Sequence, residues 1–120
     1  MPPASEAPRA VVCVPTYNER DNVEPLVRAL GDALDSARDR VLVIDDSSPD
    51  GTGEIADRLA DELPWVSVLH RERKQGIGAA YLAGFAVALA TGAEFVLETD
   101  CDFSHDPRDV PRLIDRKSVV

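Results

Sequence analysis

The sequence predicts an α/β domain built on a parallel sheet, and three observations support this. Short apolar segments rich in Val, Ile and Leu alternate with longer segments of helical periodicity. The apolar segments lack alternating polar residues, which indicates strands buried on both faces. Their order along the chain, β-α-β-α-β-α-β-α, is that of a parallel sheet with right-handed crossovers.

Each repeat begins with a predicted strand, at residues 10–14, 41–44, 65–69 and 95–97. The first helix carries its apolar residues at the spacing of one helical face: Val23, Leu26, Val27, Leu30 and Leu34. The second repeats a large apolar residue every fourth position: Ile55, Leu59 and Leu63. The third, residues 77–89, is apolar on nearly all sides, so we expect it to be covered. A fourth begins at Pro107, a residue favoured in the first helical turn.

Composition limits the class of protein. The 120 residues include 13 Lys and Arg against 22 Asp and Glu, a net charge of −9, which argues against nucleic acid as a partner. The two cysteines, Cys13 and Cys101, form neither a disulfide framework nor a metal motif, which favours a reducing cytosol. We find no signal-peptide pattern and no apolar run near the ~20 residues that span a bilayer.

Polar residues concentrate where the predicted strands end. The segments that follow the four strands are residues 15–19, 45–52, 70–78 and 100–107. Ligands of open α/β sheets bind at the carboxyl ends of the strands, so this edge is the predicted site.

Asp100 and Asp102, one residue apart after the fourth strand, are candidate ligands for Mg²⁺ or Mn²⁺. These cations prefer hard oxygen ligands, and a bound cation neutralises a diphosphate leaving group. An isolated pair of this kind is more often a solvated turn. Asp45 and Asp46 at a second strand end favour the cation, because four neighbouring carboxylates repel one another.

Tyr17 and Glu19 follow the first strand and suit a nucleobase, through ring stacking and through hydrogen bonds to a carboxylate. The structural alternative is that Asn18 or Asp21 caps the next helix, with Glu24 completing a capping box. The two interpretations are compatible.

Several smaller features have ordinary structural interpretations. Residues 49–51, Pro-Asp-Gly, indicate a turn with Gly at positive φ. Gly76 and Gly78 open the third helix, where backbone N–H groups can meet phosphate, although close helix packing explains them equally well. Arg73 and Lys74 suit an anionic ligand or a solvated loop.

Four blocks of sequence, in order and spacing, resemble the family 2 glycosyltransferases of GT-A fold, and most closely their polyprenol-phosphate (dolichol-phosphate) mannosyltransferase branch. The blocks are residues 12–19 (VCVPTYNE), 44–52 (IDDSSPDGT), 74–81 (KQGIGAAY) and 100–107 (DCDFSHDP). The second and fourth are the most particular to that branch. The implied fold is a Rossmann-like domain that binds a nucleotide sugar.

The resemblance also implies roles for individual residues. It places five residues at the nucleotide of GDP-mannose: Pro15, Tyr17, Glu19, Ile44 and Asp46. Asp100 and Asp102 are implied to be catalytic and to hold Mg²⁺ or Mn²⁺ at the diphosphate, with the Cys101 backbone nearby. Cys101 stands where the family usually has Ala, and Ser47 where Gly is common, which constrains the turn.

The implied reaction is transfer of mannose from GDP-mannose to a polyprenyl monophosphate, with inversion. The lipid acceptor implies peripheral contact with the cytoplasmic face of a membrane. The alternatives are a polyprenyl-phosphate glucosyltransferase or another family 2 enzyme using a UDP-sugar, and a non-catalytic nucleotide-sugar-binding module. A phospho-accepting receiver domain is disfavoured, because the acidic pair follows the second strand and the first and fourth blocks have no role there.

We predict three segments: residues 1–8, rich in Pro and Ala and disordered; residues 9–114, part of a GT-A domain; and residues 115–120, a tail that is not native. Family domains are longer, and their acceptor-binding half follows the fourth block. A widely used sequencing adapter reads GAT CGG AAG AGC GTC GTG, which translates to these six residues, so we expect the tail to be adapter read-through. The alternative is an ordinary basic tail suited to a helix C-terminus. The oligomeric state stays open.

Overall fold

The computed structural model describes residues 7–72 and 77–115. Four strands form one parallel sheet: β1 (Ala10–Thr16), β2 (Asp39–Asp45), β3 (Val66–His70) and β4 (Phe95–Glu98). Four helices connect and follow them: α1 (Val23–Ala33), α2 (Thr52–Glu62), α3 (Ile77–Ala90) and α4 (Val110–Asp115). The spatial order is β3-β2-β1-β4. The predicted α/β class and the predicted order of elements are confirmed.

The two central strands, β1 and β2, are buried between cores on both faces of the sheet, whereas the edge strands β3 and β4 are only partly buried. In β1, Val12 faces the larger core under α1, α2 and α4, while Cys13 faces a smaller core under α3. Both residues are completely buried. Neighbouring residues of a strand point to opposite faces, so a central strand between two cores must be apolar at nearly every position.

The expectation that α3 is covered on all sides is wrong. Its inner face packs on the sheet through Ala80, Gly84 and Ala88, but Leu82 is 73% exposed and Leu89 is 66% exposed. Within the described residues no other helix lies against this side of the sheet. Composition shows that a helix is apolar, but it does not show how many neighbours the helix has.

The predicted cap of α1 is also wrong. The helix begins at Val23, and its N-cap residue, Asn22, makes no side-chain capping hydrogen bond. The Asn22 side chain instead donates to Glu19 Oε2 (3.0 Å), and the Glu19 carbonyl accepts from the backbone N–H groups of Asn22 and Val23. Glu24 pairs with Arg28 and Arg58 and closes no capping box. A turn centred on Glu19 therefore starts this helix.

The predictions of the turn at residues 49–51 and of a helical start at Pro107 are confirmed. Gly51 has φ +94°, as the turn at residues 49–51 requires. The 3₁₀ turn Pro107–Asp109 leads into α4, close to the predicted start. Cys13 and Cys101 are free and buried. No helix in the described ranges is long and apolar enough to cross a bilayer. Residues 1–6, 73–76 and 116–120 lie outside the description, so most of the disordered segment and of the tail predicted there is not addressed.

Candidate functional site

The carboxyl ends of the four parallel strands lie at one edge of the sheet, and backbone hydrogen bonds join neighbouring strand ends. Asp46 N–H donates to the Thr16 carbonyl (3.1 Å), which joins the ends of β1 and β2. Thr99 N–H donates to the Cys13 carbonyl (3.0 Å), which joins the end of β4 to β1. Arg71 N–H donates to the Asp45 carbonyl (2.8 Å), which joins the end of β3 to β2, so all four predicted polar segments begin at this edge.

The segment after β2 holds the segment after β1. We call residues 17–22 the β1 loop and residues 46–51 the β2 loop. Three consecutive N–H groups of the β1 loop donate to side chains of or next to the β2 loop: Asn18 to Ser48 Oγ (3.0 Å), Glu19 to Thr52 Oγ1 (3.0 Å) and Arg20 to Asp50 Oδ2 (3.2 Å). These bonds fix the backbone that carries Tyr17, which is 37% exposed, and the half-buried Glu19.

Asp45 is a structural acceptor beneath this edge. It is 2% exposed, and its carboxylate accepts hydrogen bonds from Thr16 Oγ1 (2.8 Å), from Ser48 Oγ (2.6 Å) and from Ser48 N–H (3.1 Å). The protein therefore satisfies this carboxylate without a cation. The expected repulsion among four carboxylates is relieved at Asp45 by hydroxyl and amide donors.

Asp46 is paired with a residue that the sequence reasoning missed. Arg71, directly after β3, donates from Nη1 to Asp46 Oδ1 (2.9 Å), and both side chains are largely buried. Arg71 N–H also donates to the Asp45 carbonyl (2.8 Å). The sequence contained the information needed to find this pair. Because β3 is parallel to β2, a basic residue at the end of β3 lies beside the acidic pair at the end of β2.

The acidic pair after β4 is held in two different ways. Asp100 Oδ1 accepts from the Tyr81 hydroxyl (2.7 Å), a contact between α3 and the end of the sheet. Asp102 is exposed, and its Oδ1 accepts from Ser104 N–H in its own loop (2.9 Å). Hydrogen bonds from Ser104 lower the pKa of Asp102, so it is an anion at neutral pH. Tyr81 is the last residue of the third sequence block, residues 74–81, and the sequence alone predicted no role for it.

Cys101, between these aspartates, is 3% exposed and belongs to the larger core. Burial, and then the charges of Glu19 and Asp102, raise the pKa of its thiol to about 12. The thiol is therefore neutral and a packing group.

The other predicted residues differ in their access to a ligand. Pro15 is half-buried at the end of β1. Ile44 is completely buried, with its side chain against Gly84 of α3, so it lies beneath the edge and a direct ligand contact stays a prediction. Gly78 is exposed near the start of α3, whereas Arg73, Lys74 and Gly76 lie outside the described residues.

The side chains at this edge provide some, but not all, of the ligands that a divalent cation needs. Within the described ranges, no group of three or more His, Cys, Asp or Glu side chains is placed to hold a metal. Asp100 and Asp102 nevertheless offer the hard oxygen atoms that Mg²⁺ and Mn²⁺ prefer. Mg²⁺ commonly takes only one or two carboxylates and completes its shell with water and substrate phosphates. The residues present therefore fit a cation that arrives with a phosphorylated ligand.

Comparisons with known proteins agree with this geometry. The sequence profile described as "Glycosyl transferase family 2" matches residues 11–118. An undecaprenyl-phosphate mannosyltransferase of Micrococcus luteus is 46% identical over 107 residues, which cover 89% of this chain and 43% of the relative. A polyprenol monophosphomannose synthase of Mycolicibacterium smegmatis is 47% identical over 116 residues, covering 94% of this chain and 43% of the relative. The chain thus spans less than half the length of these relatives.

A solved structure shares the fold. The mannosyltransferase PcManGT from Pyrobaculum calidifontis, in complex with GDP-Man and Mn²⁺, superposes with a TM-score of 0.70 at 27% identity. The match covers 91% of this chain and 32% of that one.

Proposed function

The chain belongs to glycosyltransferase family 2, and from this premise we propose that the protein transfers mannose from GDP-mannose to a polyprenyl monophosphate, with inversion at the anomeric carbon. Relatives at 46% and 47% identity are named for this kind of transfer. The observation that carries the proposal is that parallel pairing of β1 with β4 brings the β1 loop and the acidic pair Asp100 and Asp102 to one edge of the sheet.

In this proposal the nucleotide lies over the ends of β1 and β2. Tyr17 offers an exposed aromatic face for stacking, and Glu19 offers a carboxylate that accepts from base N–H groups. Asp46, held by Arg71, is the third polar contact. Pro15 and Ile44 complete the set, with Ile44 supporting it from below.

Asp100 and Asp102 would hold the cation, either Mg²⁺ or Mn²⁺. When bound, the cation supplies Lewis-acid neutralisation of the diphosphate charge that develops as GDP departs. Asp102 is suited to this role because it is exposed and remains anionic. Asp100 is suited because a hydrogen bond fixes one of its carboxylate oxygens.

The acceptor explains why the described residues include no obvious general base. A phosphate monoester is already anionic at neutral pH and attacks without losing a proton to the protein. The residues of this edge therefore need to bind, orient and neutralise charge. A lipid acceptor also places the reaction at a membrane surface, which we propose to be the cytoplasmic face, with peripheral contact.

The experiment is a calorimetric titration of the chain with GDP-mannose in Mn²⁺, repeated in EDTA and with UDP-glucose. We expect binding that EDTA abolishes and that is at least about tenfold weaker for UDP-glucose, since a base-specific site loses several hydrogen bonds with the wrong base. Asp102→Asn should weaken Mn²⁺-dependent binding, while Asp61→Asn, which removes an exposed carboxylate on α2, should not.

Tighter binding of UDP-glucose would contradict the choice of donor and favour the glucosyltransferase alternative. Incorporation of labelled mannose into undecaprenyl phosphate tests the transfer itself. Metal-dependent GDP-mannose binding with no transfer would support the non-catalytic binding module for this chain.

A further inference from the structure

Tyr81 makes a contact that the packing of α3 does not require. It lies in the second turn of α3, and its hydroxyl donates to Asp100 Oδ1 at 2.7 Å across a separation of 19 residues. The helix is attached to the sheet by other residues. Ala80 and Ala88 are buried in the smaller core, and Gly84 is so close to Ile44 that a Cβ there would meet its side chain.

The ring of Tyr81 is itself supported. It packs against Phe85, one turn later, with ring centroids 6.1 Å apart and planes inclined by 38°. Phe85 in turn packs against the smaller core. Packing of α3 against the sheet therefore holds the Tyr81 ring in place, and its hydroxyl reaches the segment after β4.

Asp100 depends on this hydroxyl for its orientation. Tyr81 is the one hydrogen-bond partner of its carboxylate among the residues that the structure describes. Asp102 differs, because its partner is a backbone N–H of its own loop. A phenol that donates to a carboxylate at this distance makes a charge-assisted bond, roughly twice as strong as a neutral one.

We propose that Tyr81 is a positioning residue for Asp100. Its hydroxyl donates to Oδ1 and fixes the carboxylate, which would leave Oδ2 available to the cation. The inference rests on the proposed function, in which Asp100 is a ligand. Loss of a partner that orients a metal ligand typically weakens metal binding 10- to 100-fold. We expect a loss of about tenfold for Tyr81→Phe, which keeps the ring and removes only the hydroxyl.

The test begins with Mn²⁺ alone, titrated into the chain while free Mn²⁺ is followed by electron paramagnetic resonance. Wild type, Tyr81→Phe and Leu82→Gln are compared. Leu82 is the next residue of the same helix and is 73% exposed, so its variant controls for changes to the α3 surface. Weaker Mn²⁺ binding in Tyr81→Phe, with wild-type binding in Leu82→Gln, is the expected result.

A double-mutant cycle separates positioning from a general effect on the fold. GDP-mannose affinity in Mn²⁺ is measured for Tyr81→Phe, Asp100→Asn and the double variant. In Asp100→Asn the second proposed ligand, Asp102, remains, so Mn²⁺-dependent binding of GDP-mannose should be weakened but still measurable. If Tyr81 acts through Asp100, its substitution weakens binding in the wild type and adds nothing in Asp100→Asn. An equal loss in both backgrounds overturns the inference, because a structural role of Tyr81 does not depend on Asp100.

The two proposals fail in different ways. Wild type that binds GDP-mannose, with Tyr81→Phe binding Mn²⁺ equally well, overturns the role of Tyr81 alone. Wild type that binds no GDP-mannose, while its Mn²⁺ affinity falls in Tyr81→Phe, overturns the proposed function alone. Wild type that binds Mn²⁺ neither alone nor together with GDP-mannose overturns both.

Discussion

At residue 47 a serine has a backbone φ of +55°, a conformation that costs an L-residue about 1–2 kcal/mol. Its hydroxyl donates to the Arg71 carbonyl at 2.5 Å. Two opposing effects therefore act on the stability of this turn. The positive φ destabilises it, and the hydrogen bond of the Ser47 hydroxyl stabilises it, whereas glycine would adopt the same φ without strain. Gly is common at this position in the family, so the serine here introduces the strain and the hydroxyl group together.

Substitutions of Ser47 separate these two terms. Ser47→Ala keeps the strain and loses the hydrogen bond, so we expect a loss of about 1 kcal/mol in the free energy of unfolding. Ser47→Gly loses the same bond but relieves the strain, and it should remain close to wild type. Urea unfolding at 25 °C measures both. Equal losses in the two variants would show that φ at this residue carries no cost.

Among elements, the β1 and β2 loops act as a pair, and Thr52 is central to it. Thr52 is completely buried, accepts from Glu19 N–H and donates to Asp50 Oδ1 (2.5 Å). The sequence block at residues 44–52 therefore has a structural role, because its side chains hold the β1 loop in place.

Thr52→Val conserves shape and leaves Glu19 N–H without its acceptor. We expect the free energy of unfolding to fall by about 1–3 kcal/mol and GDP-mannose to bind more weakly, since Glu19 is no longer held. Thr52→Ser keeps the hydroxyl and should recover most of both. Urea unfolding and calorimetry give the two values. Unchanged nucleotide affinity in Thr52→Val would contradict the supporting role of this loop.

We expect the 3₁₀ turn Pro107–Asp109, which Asp106 caps, to contribute stability that depends on pH. Its carboxylate accepts from the Arg108 guanidinium and from Arg108 N–H, which lower its pKa to about 2. An unfolded Asp titrates near 3.9. Because the folded pKa is the lower one, the carboxylate contributes stability above about pH 4 that is lost as pH falls toward 2.

Asp106→Asn should therefore be less stable than wild type at pH 5, and the difference should disappear near pH 2. Urea midpoints at several pH values between these limits measure it. Asp61→Asn removes an exposed carboxylate of α2 without this pair and should show no such convergence. A difference that persists unchanged to pH 2 would exclude Asp106 as its source.

For the whole molecule, the two cores share β1 and β2, so we expect them to unfold together. Leu42 lies in the smaller core at 4% exposure, while Trp65, the only tryptophan, packs against the larger one. Leu42→Ala should lower the free energy of unfolding by about 2–5 kcal/mol. Trp65 fluorescence and far-UV circular dichroism should show the same shifted midpoint.

Leu82→Ala is the matched control, since the same atoms are removed from an exposed position on the same side of the sheet. It should change the free energy of unfolding by no more than about 0.5 kcal/mol. A Trp65 midpoint that does not move in Leu42→Ala would show that the larger core unfolds independently.

The sequence by itself determined the parallel sheet and the edge at which the polar segments meet. Strands buried on both faces require continuous apolar runs, and parallel strands bring their carboxyl ends together. These are consequences of local pattern and order along the chain. Tyr17, Glu19 and Asp102 could therefore be placed at this edge in advance.

Only the tertiary structure decided which polar groups satisfy one another. Arg71 beside Asp46 and Tyr81 beside Asp100 join elements 25 and 19 residues apart. It also decided that the outer face of α3 is exposed. The physical reason is the same in each case. Hydrogen bonds and burial depend on distances across the fold, whereas periodicity and composition report only what lies within a few turns of the chain.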